Sequence, residues 1–346
     1  MRKIEKPAIW QLRDRHASPH PYCLKLRRFR ACTPLLPWAT FLCIRANLGF
    51  PMKMPLSHLF ARPAGPLTTP ADGLTITAVI ALYDDAPYVD RCFQGMAEQG
   101  VQAIVIDNDT LPATRESIAR WYKAGVVREI HHLPRSGVMD WSGLLAAKER
   151  IINTTDSDWF ILWDSDELRE PPEGFATLRE AFAAAGAAGF DTVNFDEFCF
   201  VPVTSDEDHA GGDYAETLQS YYFFQPLRYQ RLNAFRRPKG GVALMEGAGH
   251  RVQFPGQRIW TEDCAMRHYL YLSEAHGRSK YGARQFSSRD LDRGWQLERA
   301  ATTQDNFRLP DPEQLFQKRP GQPWNRSHPF MRHPSFVYDA EHIRAP

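Results

Sequence analysis

The sequence predicts an α/β fold in which a mixed, mostly parallel sheet is flanked by helices. Between residues 74 and 168, apolar runs of strand length alternate with segments that carry apolar residues at helical spacing. The strand segments are apolar throughout rather than at every second position, which is typical of strands covered on both faces. A β-α-β-α-β-α-β succession within about 95 residues indicates a parallel sheet with right-handed crossovers.

The first half of the predicted fold follows from these patterns in order. LTITAVIAL is expected to form the first strand, and the helix after it carries Val89, Cys92, Phe93 and Met96 at helical spacing before Gly100 ends it. We expect strands at 74–82, 103–107, 127–133 and 159–163, and helices at 88–99, 113–124 and 142–152.

The second half is less regular. An alanine-rich helix is expected at 175–185, and the alternating pattern of 190–203 predicts one or two strands. Residues 221–245 and 250–254 are expected to add strands with a basic face. From Cys264 a short strand leads into a helix opened by Ser273. The main domain is therefore expected to span 74–309, preceded by a basic, disordered extension and linker (1–73) and followed by a C-terminal tail (310–346).

Composition and charge argue against nucleic-acid binding. The chain has 346 residues, of which 43% are hydrophobic and 24% charged, as in soluble globular proteins. Residues 1–70 hold 12 Lys/Arg against two acids, whereas residues 71–346 hold 30 Lys/Arg against 39 Asp/Glu. Because the body is acidic, it has no footprint for nucleic acid, and we expect no nucleic-acid partner.

The cysteines and the N-terminal segment indicate the compartment. Six cysteines are scattered without a C-x-x-C pair, which argues against a zinc site or a disulfide framework and favours a reducing cytoplasm. The most apolar run of the N-terminal segment is interrupted by Pro37 and is far shorter than the roughly 20 residues that span a bilayer. We expect a cytoplasmic protein, with peripheral contact between its basic N-terminal segment and the anionic inner face of the membrane as an option.

Acidic residues follow three of the predicted strands. The stretch DWFILWDSDE places Asp164, Asp166 and Glu167 after a buried strand, and Asp84 and Asp107 follow two earlier strands. Ligands of open α/β sheets collect at the carboxyl ends of the strands, and clustered carboxylates suit Mg²⁺ or Mn²⁺. Ordinary acidic turns are the alternative, with Asp107 as a turn-capping residue.

These segments together carry a resemblance. VIALYDDAPYVDRCFQGM, AIVIDNDT and DWFILWDSDE resemble the nucleotide-sugar-binding half of family-2-type glycosyltransferases with the GT-A fold. GHRVQF and MRHYLYLSEAHGRSKYGARQF resemble the C-terminal part of a bacterial subgroup that has D-x-D-E and RHY motifs. The resemblance implies a GT-A-like, Rossmann-related sheet, with a nucleotide-sugar half at 74–168 and an acceptor half at 169–309.

The resemblance also implies roles for individual residues. In the family pattern, the nucleoside, diphosphate and metal are bound by residues at the positions of Leu82, Tyr83, Asp84, Asp107, Asp164, Asp166, His268, Lys280 and Arg284. The first three would line the nucleoside, and Asp107 would meet its base or ribose. Asp164 would contact ribose or the Mn²⁺ or Mg²⁺ ion, which Asp166 and His268 would ligate. Lys280 and Arg284 would reach the diphosphate, unless they belong to a solvated helix face.

Two features depart from the family pattern or stay open. Asp84 stands where an Asn is usual, and the second acidic turn is DND, so the nucleotide preference is open. An inverting enzyme needs a carboxylate to take the proton of the acceptor hydroxyl. Glu197, Glu246 and Asp263 are equal candidates for this base, and each has ordinary surface charge as its alternative.

The sequence therefore predicts a metal-dependent glycosyltransferase of the inverting type. It would move a sugar from a nucleotide-sugar donor to the hydroxyl of a saccharide or lipid-linked acceptor, in the assembly of surface polysaccharide or glycolipid. A sugar nucleotidyltransferase is disfavoured because Tyr83-Asp84-Asp85 replaces the Gly-rich, basic phosphate loop of such enzymes. A non-catalytic sugar-binding or scaffold protein with the same fold is the third hypothesis.

Overall fold

The computed structural model describes residues 73–338. The predicted N-terminal extension, apart from Gly73, and the end of the predicted tail lie outside the described residues. The described part forms two sheets. The mixed α/β architecture with helices on both faces of a mostly parallel sheet confirms the predicted fold class.

The first sheet is built around strand β1. β1 (Ile76–Leu82) pairs in parallel with β2 (Gln102–Asp107) on one side and with β4 (Trp159–Leu162) on the other, and β2 pairs in parallel with β3 (Val127–His132). Two short antiparallel strands, β6 (Thr192–Val193) and β9 (Ala234–Phe235), extend the sheet beyond β4 in the order β3-β2-β1-β4-β9-β6. The carboxyl ends of β1, β2 and β4 therefore meet at one edge, as predicted.

Helices cover both faces of this sheet, which explains why its strands are apolar throughout. The helices are α1 (Ala86–Glu98), α2 (Pro112–Lys123), α3 (Trp141–Thr154) and α4 (Leu178–Ala187). Ile80 of β1 belongs to a core with residues of α1, α2 and α4, whereas its neighbour Val79 belongs to a core with residues of α3. Successive strand residues point to opposite faces, so each face needs its own apolar set.

The second sheet carries the other wall of the site. Its order is β11-β8-β7-β10-β5, with β5 (Glu167–Glu170), β7 (Phe195–Phe200), β8 (Ser220–Phe224), β10 (Cys264–Tyr269) and β11 (Phe316–Gln317). β10 is parallel to β7 and antiparallel to β5, which places His268 beside Cys199 and Glu167. Because β5 starts directly after Asp166, the D-S-D turn joins the two sheets.

Short helices complete the described chain. They are α5 (Tyr214–Thr217), α6 (Glu274–Gly282), α7 (Ser288–Asp292) and α8 (Leu297–Ala300), with one 3-10 turn at Pro312–Gln314. The Ser273 hydroxyl accepts a hydrogen bond from the His276 amide, so Ser273 caps α6 as predicted. No helix among residues 73–338 is long and apolar enough to cross a membrane.

Three predictions about local structure were wrong. Helix α4 begins at Leu178 rather than near 175, because the Thr177 side chain accepts from the Glu180 amide and caps it there. Glu167 starts a strand and is buried against Arg169, so it is not part of an acidic turn. Residues 250–254 form no strand, since only Val252 makes a strand-like contact, donating its amide to the Leu232 carbonyl.

We expect the α4 contact with the first sheet to be a major source of stability. Phe182 is fully buried and its ring lies 4.8 Å from that of Trp159 on β4. Phe182→Ala should lower the free energy of unfolding by about 3–5 kcal/mol, because it removes buried apolar area and leaves a cavity. Leu227→Ala is the control, since Leu227 is 44% exposed. Urea denaturation measures both, and a loss below about 1 kcal/mol for Phe182→Ala would contradict this packing.

Candidate functional site

A cavity of about 610 Å³ opens where β1, β2 and β4 end. Its floor includes residues that directly follow the three strands, and its other walls come from β10, from α6 and from the segment around α8. The lining includes both acidic and basic side chains, among them Asp84, Asp85, Asp164, Asp166, Arg135, Arg231, Lys280, Arg284 and Arg299. The cavity lies at the edge of the sheet where the sequence predicted a ligand site.

The turn after β1 forms an aromatic corner of the cavity. Leu82, Tyr83 and Asp84 all line it. The guanidinium of Arg135 lies 4.0 Å from the centre of the Tyr83 ring and donates to Asn108 Oδ1 at 3.2 Å. A stacked aromatic and guanidinium pair offers a flat surface of the kind that nucleobases contact.

The next residue, Asp85, braces this corner. One of its oxygens accepts from the Tyr83 amide at 2.7 Å and the other accepts from the Ser165 hydroxyl. Burial raises the pKa of Asp85 above its usual value, against these hydrogen bonds. Asp85 therefore ties the turn after β1 to the D-S-D turn after β4.

Asp107 does not take the position that the resemblance implies. Its Oδ1 accepts from both the amide and the hydroxyl of Thr110, each at 2.8 Å, and it is not among the lining residues of the cavity. The turn-capping alternative is what the structure shows, because an Asp at a strand end satisfies the free amide of its own turn. Its neighbour Asn108 is the residue of this turn that lines the cavity.

Asp164 lines the cavity and is paired with a buried lysine. The Nζ atom of Lys148 on α3 lies 3.3 Å from Asp164 Oδ1, and the Asp164 side chain keeps 41% exposure. Burial alone would raise the pKa of Asp164, but the charge of Lys148 outweighs it and the pKa is lowered. Asp164 thus stays ionised and accessible from the cavity.

Asp166 is the meeting point of two sheets and a helix. Its Oδ2 accepts from Lys280 Nζ of α6 at 2.7 Å and lies 3.6 Å from His268 Nε2 of β10. Burial would raise the pKa of Asp166, yet Lys280 and His268 hold it well below its usual range. Lys280 also donates to the Leu270 carbonyl at 2.9 Å, so two hydrogen bonds hold its charge beside Asp166.

Glu197 stands behind His268 and is not available as a base. Its Oε1 lies 2.6 Å from His268 Nδ1, and both of its oxygens accept from Arg231, at 2.7 and 2.8 Å. The side chain is fully buried, and although burial raises its pKa, Arg231 holds the pKa well below the usual range. A carboxylate with both oxygens occupied and a low proton affinity is a poor proton acceptor, which corrects the prediction for Glu197.

The other two candidates for the base do not line the cavity either. Asp263 directly precedes β10 and accepts a hydrogen bond from Asn194. It lies five residues before His268, which is about 16 Å along an extended strand. Glu246 is exposed in a glycine-rich turn, and it is His250 of the same segment that reaches the cavity. The structure therefore supports none of the three candidates for the base.

The two predicted diphosphate ligands, Lys280 and Arg284, both line the cavity. Arg284 is not on the helix as predicted, because α6 ends at Gly282. Further lining or supporting residues were missed, among them Arg135, Lys148, Arg231, His250 and Arg299. Arg135 had a detectable signal, since it follows the end of a predicted parallel strand. The others lie in segments whose patterns give no sign of which side chain faces the cavity.

The donor atoms at Asp166 and His268 fit a divalent cation. Glu197 holds His268 Nδ1 and leaves Nε2 directed at Asp166, the arrangement in which carboxylates support metal-ligating histidines. Lys280 shares the same Asp166 oxygen, so it must move for a cation to bind there. The ligand atoms of Asp164, Asp166 and His268 do not all lie within 4.8 Å of one another, so only Asp166 and His268 lie side by side in this structure.

A second cluster, Glu197, Cys199 and His268, has ligand atoms within 4.8 Å of one another. This cluster is less suited to a cation. A cation there would displace Arg231 from Glu197, and in the absence of a metal ion burial together with Glu197 raises the pKa of the Cys199 thiol to about 12. A coordinating thiol loses its proton, so a cation at this cluster would also have to meet the cost of that deprotonation.

Fold and site together define a mixed α/β protein with a charged cavity at the carboxyl edge of a parallel sheet. No protein-family model and no curated protein sequence matches this chain. Similar solved structures do exist.

Three of them bind nucleotides. S. aureus TarS in complex with UDP is 12% identical, with a TM-score of 0.30, over 47% of this chain and 47% of that one. The mannosyltransferase PcManGT from Pyrobaculum calidifontis, in complex with GDP-Man and Mn²⁺, is 18% identical, with a TM-score of 0.34, over 55% and 56%. Glucosyl-3-phosphoglycerate synthase from Mycobacterium tuberculosis, with Mg²⁺ and UDP, is 14% identical, with a TM-score of 0.25, over 45% and 52%.

The chain thus spans about half the length of these structures. Likenesses with such TM-scores and identities are too distant to assign an activity, a substrate or a site residue.

Arg231 should be essential to the buried charge of Glu197. Arg231→Met is expected to lower the free energy of unfolding by about 3–5 kcal/mol, because it leaves a buried carboxylate without its guanidinium. Adding Glu197→Gln should recover part of this loss, since the unpaired charge is then gone. Arg228→Met is the matched control on the same loop, where the arginine is exposed. Guanidinium denaturation of the wild type and the three variants is the measurement, and equal losses for Arg228→Met and Arg231→Met would contradict the pairing.

His268 should make stability depend on pH in the absence of metal. Burial would lower the pKa of His268, but Asp166 raises it well above its usual value. The protonated ring therefore adds stability that is complete below about pH 6.5 and is lost as the pH rises through the raised pKa. In EDTA, the stability difference between the wild type and His268→Gln should shrink from pH 6 into the alkaline range. A difference that grows with pH would show that the ring is neutral in the fold.

Proposed function

We propose that this protein is a glycosyltransferase that uses a nucleotide-sugar donor. The observation that carries the proposal is the cavity itself, in which Tyr83, the D-S-D turn and two cations of the α6 segment face one volume of about 610 Å³. An aromatic corner, accessible carboxylates and fixed positive charges match the nucleoside, the ribose and the diphosphate of such a donor. The volume lies in the range of small-molecule sites.

The donor is proposed to lie across the carboxyl ends of the strands. Its base would stack at Tyr83 and Arg135, and its ribose would contact Asp164, whose side chain remains 41% exposed. Lys280 and Arg284 would receive the diphosphate, where their charges favour departure of the leaving group. The placement agrees with the resemblance that the sequence shows for Tyr83, Asp164 and Lys280.

Asp166 and His268 would hold Mn²⁺ or Mg²⁺. Such an ion neutralises the charge that develops on a departing diphosphate. For the ion to bind, Lys280 would have to leave Asp166, and it would then donate its hydrogen bonds to the nearby diphosphate. Glu197 and Arg231 keep the His268 ring oriented throughout.

We also propose an acceptor class, a stereochemical outcome and a cellular location. Transfer to a saccharide or lipid-linked hydroxyl in surface polysaccharide or glycolipid assembly rests on the sequence resemblance. An inverting outcome needs a base near the acceptor, and Glu197, Glu246 and Asp263 do not line the cavity. Proton NMR of the anomeric signal of the product distinguishes inversion from retention. Location in the cytoplasm or at the inner membrane face remains a proposal from the composition of the N-terminal segment.

Asp166→Asn tests the proposal. A thermal-shift screen of nucleoside diphosphate sugars with Mn²⁺ first identifies the donor, because a ligand of the folded state raises the melting temperature. With that donor, Asp166→Asn should slow transfer by about 100-fold or more, since several kcal/mol of charge stabilisation are lost. Asp292→Asn, which is exposed and outside the cavity, should retain wild-type rates.

Two results would overturn the proposal. If no nucleotide sugar raises the melting temperature of the wild type, with or without Mn²⁺, the protein is a scaffold of the same fold or acts on another ligand. If Asp166→Asn transfers sugar at the rate of Asp292→Asn, the D-S-D turn does not carry the reaction.

A further inference from the structure

One cation of the cavity is not accounted for by the donor. Arg299 of α8 lines the cavity on the side of Tyr281, where its guanidinium lies 5.7 Å from the ring centre. The guanidinium of Arg284 lies 5.8 Å from the same ring. The ring of Tyr281 therefore contacts two arginines, both of which line the cavity.

Two other cations of the cavity are paired with carboxylates: Lys280 with Asp166, and Arg231 with Glu197. Arg135 is held by Asn108 and the ring of Tyr83. Arg299 donates to Gln296 Oε1 at 3.1 Å and lies over the ring of Phe336 at 5.6 Å. Among residues 73–338, neither Arg284 nor Arg299 forms an ion pair with a carboxylate. Their charges are free to meet a ligand.

The donor needs fewer cations than the cavity holds. The diphosphate of a nucleotide sugar carries two negative charges, and Lys280, Arg284 and Arg135 all lie on its proposed path. Arg284 donates to Met139 Sδ at 3.8 Å and lies over the ring of Tyr281, as does Lys280. Arg299 lies on the same ring but also over Phe336, which belongs to a core that includes residues of the second sheet. Arg299 is thus not needed to balance the charge of the donor.

The surroundings of Arg299 hold its guanidinium ready for a ligand. Gln296, which accepts from Arg299, has a left-handed backbone with φ of 62°. Non-glycine residues rarely adopt this conformation, and those that do cluster at active sites and ligand-binding sites. On the same side, burial and the charge of Arg231 lower the pKa of His250 to about 3, so this ring is neutral and adds no charge.

We propose that Arg299, oriented by Gln296, binds an anionic group of the acceptor. This inference rests on the proposed function and names its substrate class: an acceptor that carries a phosphate or a carboxylate besides the hydroxyl that is glycosylated. A guanidinium fork matches either oxyanion with two parallel hydrogen bonds. Phosphate and carboxylate share this chemistry, so the experiment has to separate them.

The experiment uses three small probes of equal carbon skeleton on the full chain. Glycerol is neutral, glycerate carries a carboxylate, and sn-glycerol 3-phosphate carries a phosphate. With a nucleoside diphosphate and Mn²⁺ present to fill the donor site, at least one anion should raise the melting temperature further, and glycerol should not. Whichever anion gives the larger shift identifies the charged group of the acceptor.

Two arginine variants separate the acceptor site from the donor site. Arg299→Gln should lower the affinity for the anion by about 10–100-fold, since a charged hydrogen-bonded pair is lost. The affinity for nucleoside diphosphate should stay within about twofold of the wild-type value. Arg284→Gln should show the opposite pattern. Arg299→Lys keeps the charge without the fork and should fall between the wild type and Arg299→Gln, which also guards against misfolding of the Gln variant.

The inference is overturned by any of three outcomes. Neither anion binds the nucleotide-loaded wild type, or the anion shift survives in Arg299→Gln, or Arg299→Gln weakens the nucleoside diphosphate as strongly as Arg284→Gln does. Failure of the proposed function looks different, because then no nucleoside diphosphate binds the wild type in the first place.

Discussion

The structure depends on a chain of buried charges that runs from Arg231 through Glu197, His268 and Asp166 to Lys280. Its members come from the segment before β9, from β7, from β10, from the turn after β4 and from α6. Buried charges cost several kcal/mol each unless a partner lies at hydrogen-bond distance. These five elements must therefore hold their relative positions to within a fraction of an ångström. The chain joins the two sheets through polar contacts at the point where the backbone crosses from one to the other.

This constraint shapes the cavity. Asp164, Asp166 and Glu197 each have a cation supplied by the fold, namely Lys148, Lys280 and Arg231. These three carboxylates are therefore neutralised before any ligand arrives. Under the proposed function, binding would proceed by exchange: a divalent ion would replace Lys280 at Asp166, and phosphate oxygens would become the new partners of Lys280. Arg284 and Arg299 take no part in this exchange, which leaves them free for anions. Under the two proposals, a single cavity would offer separate places for a donor and for a charged acceptor.

Much of the first sheet was predictable, because helices cover both of its faces and its strands are apolar throughout. The same logic predicted that Tyr83, Asp84 and Asp164 would share one edge, since parallel strands end together. It misplaced Asp107, whose carboxylate is used by its own turn. The base candidates failed for a related reason. In the sequence, nothing distinguishes Glu197 from an exposed glutamate. Only the structure shows that the guanidinium of Arg231, 34 residues away, neutralises it.

The sequence by itself determined the class of fold, the strand edge at which the cavity opens and the acidic residues of the D-S-D turn. These follow from local periodicity and from the rule that parallel strands share an end. Only the tertiary structure decided which charges are paired and which are free. Lys280 meets Asp166 across 114 residues, and Arg299 remains without a carboxylate among the described residues. Pairing is decided by distances of a few ångströms between remote segments, and no local pattern in a sequence records such distances.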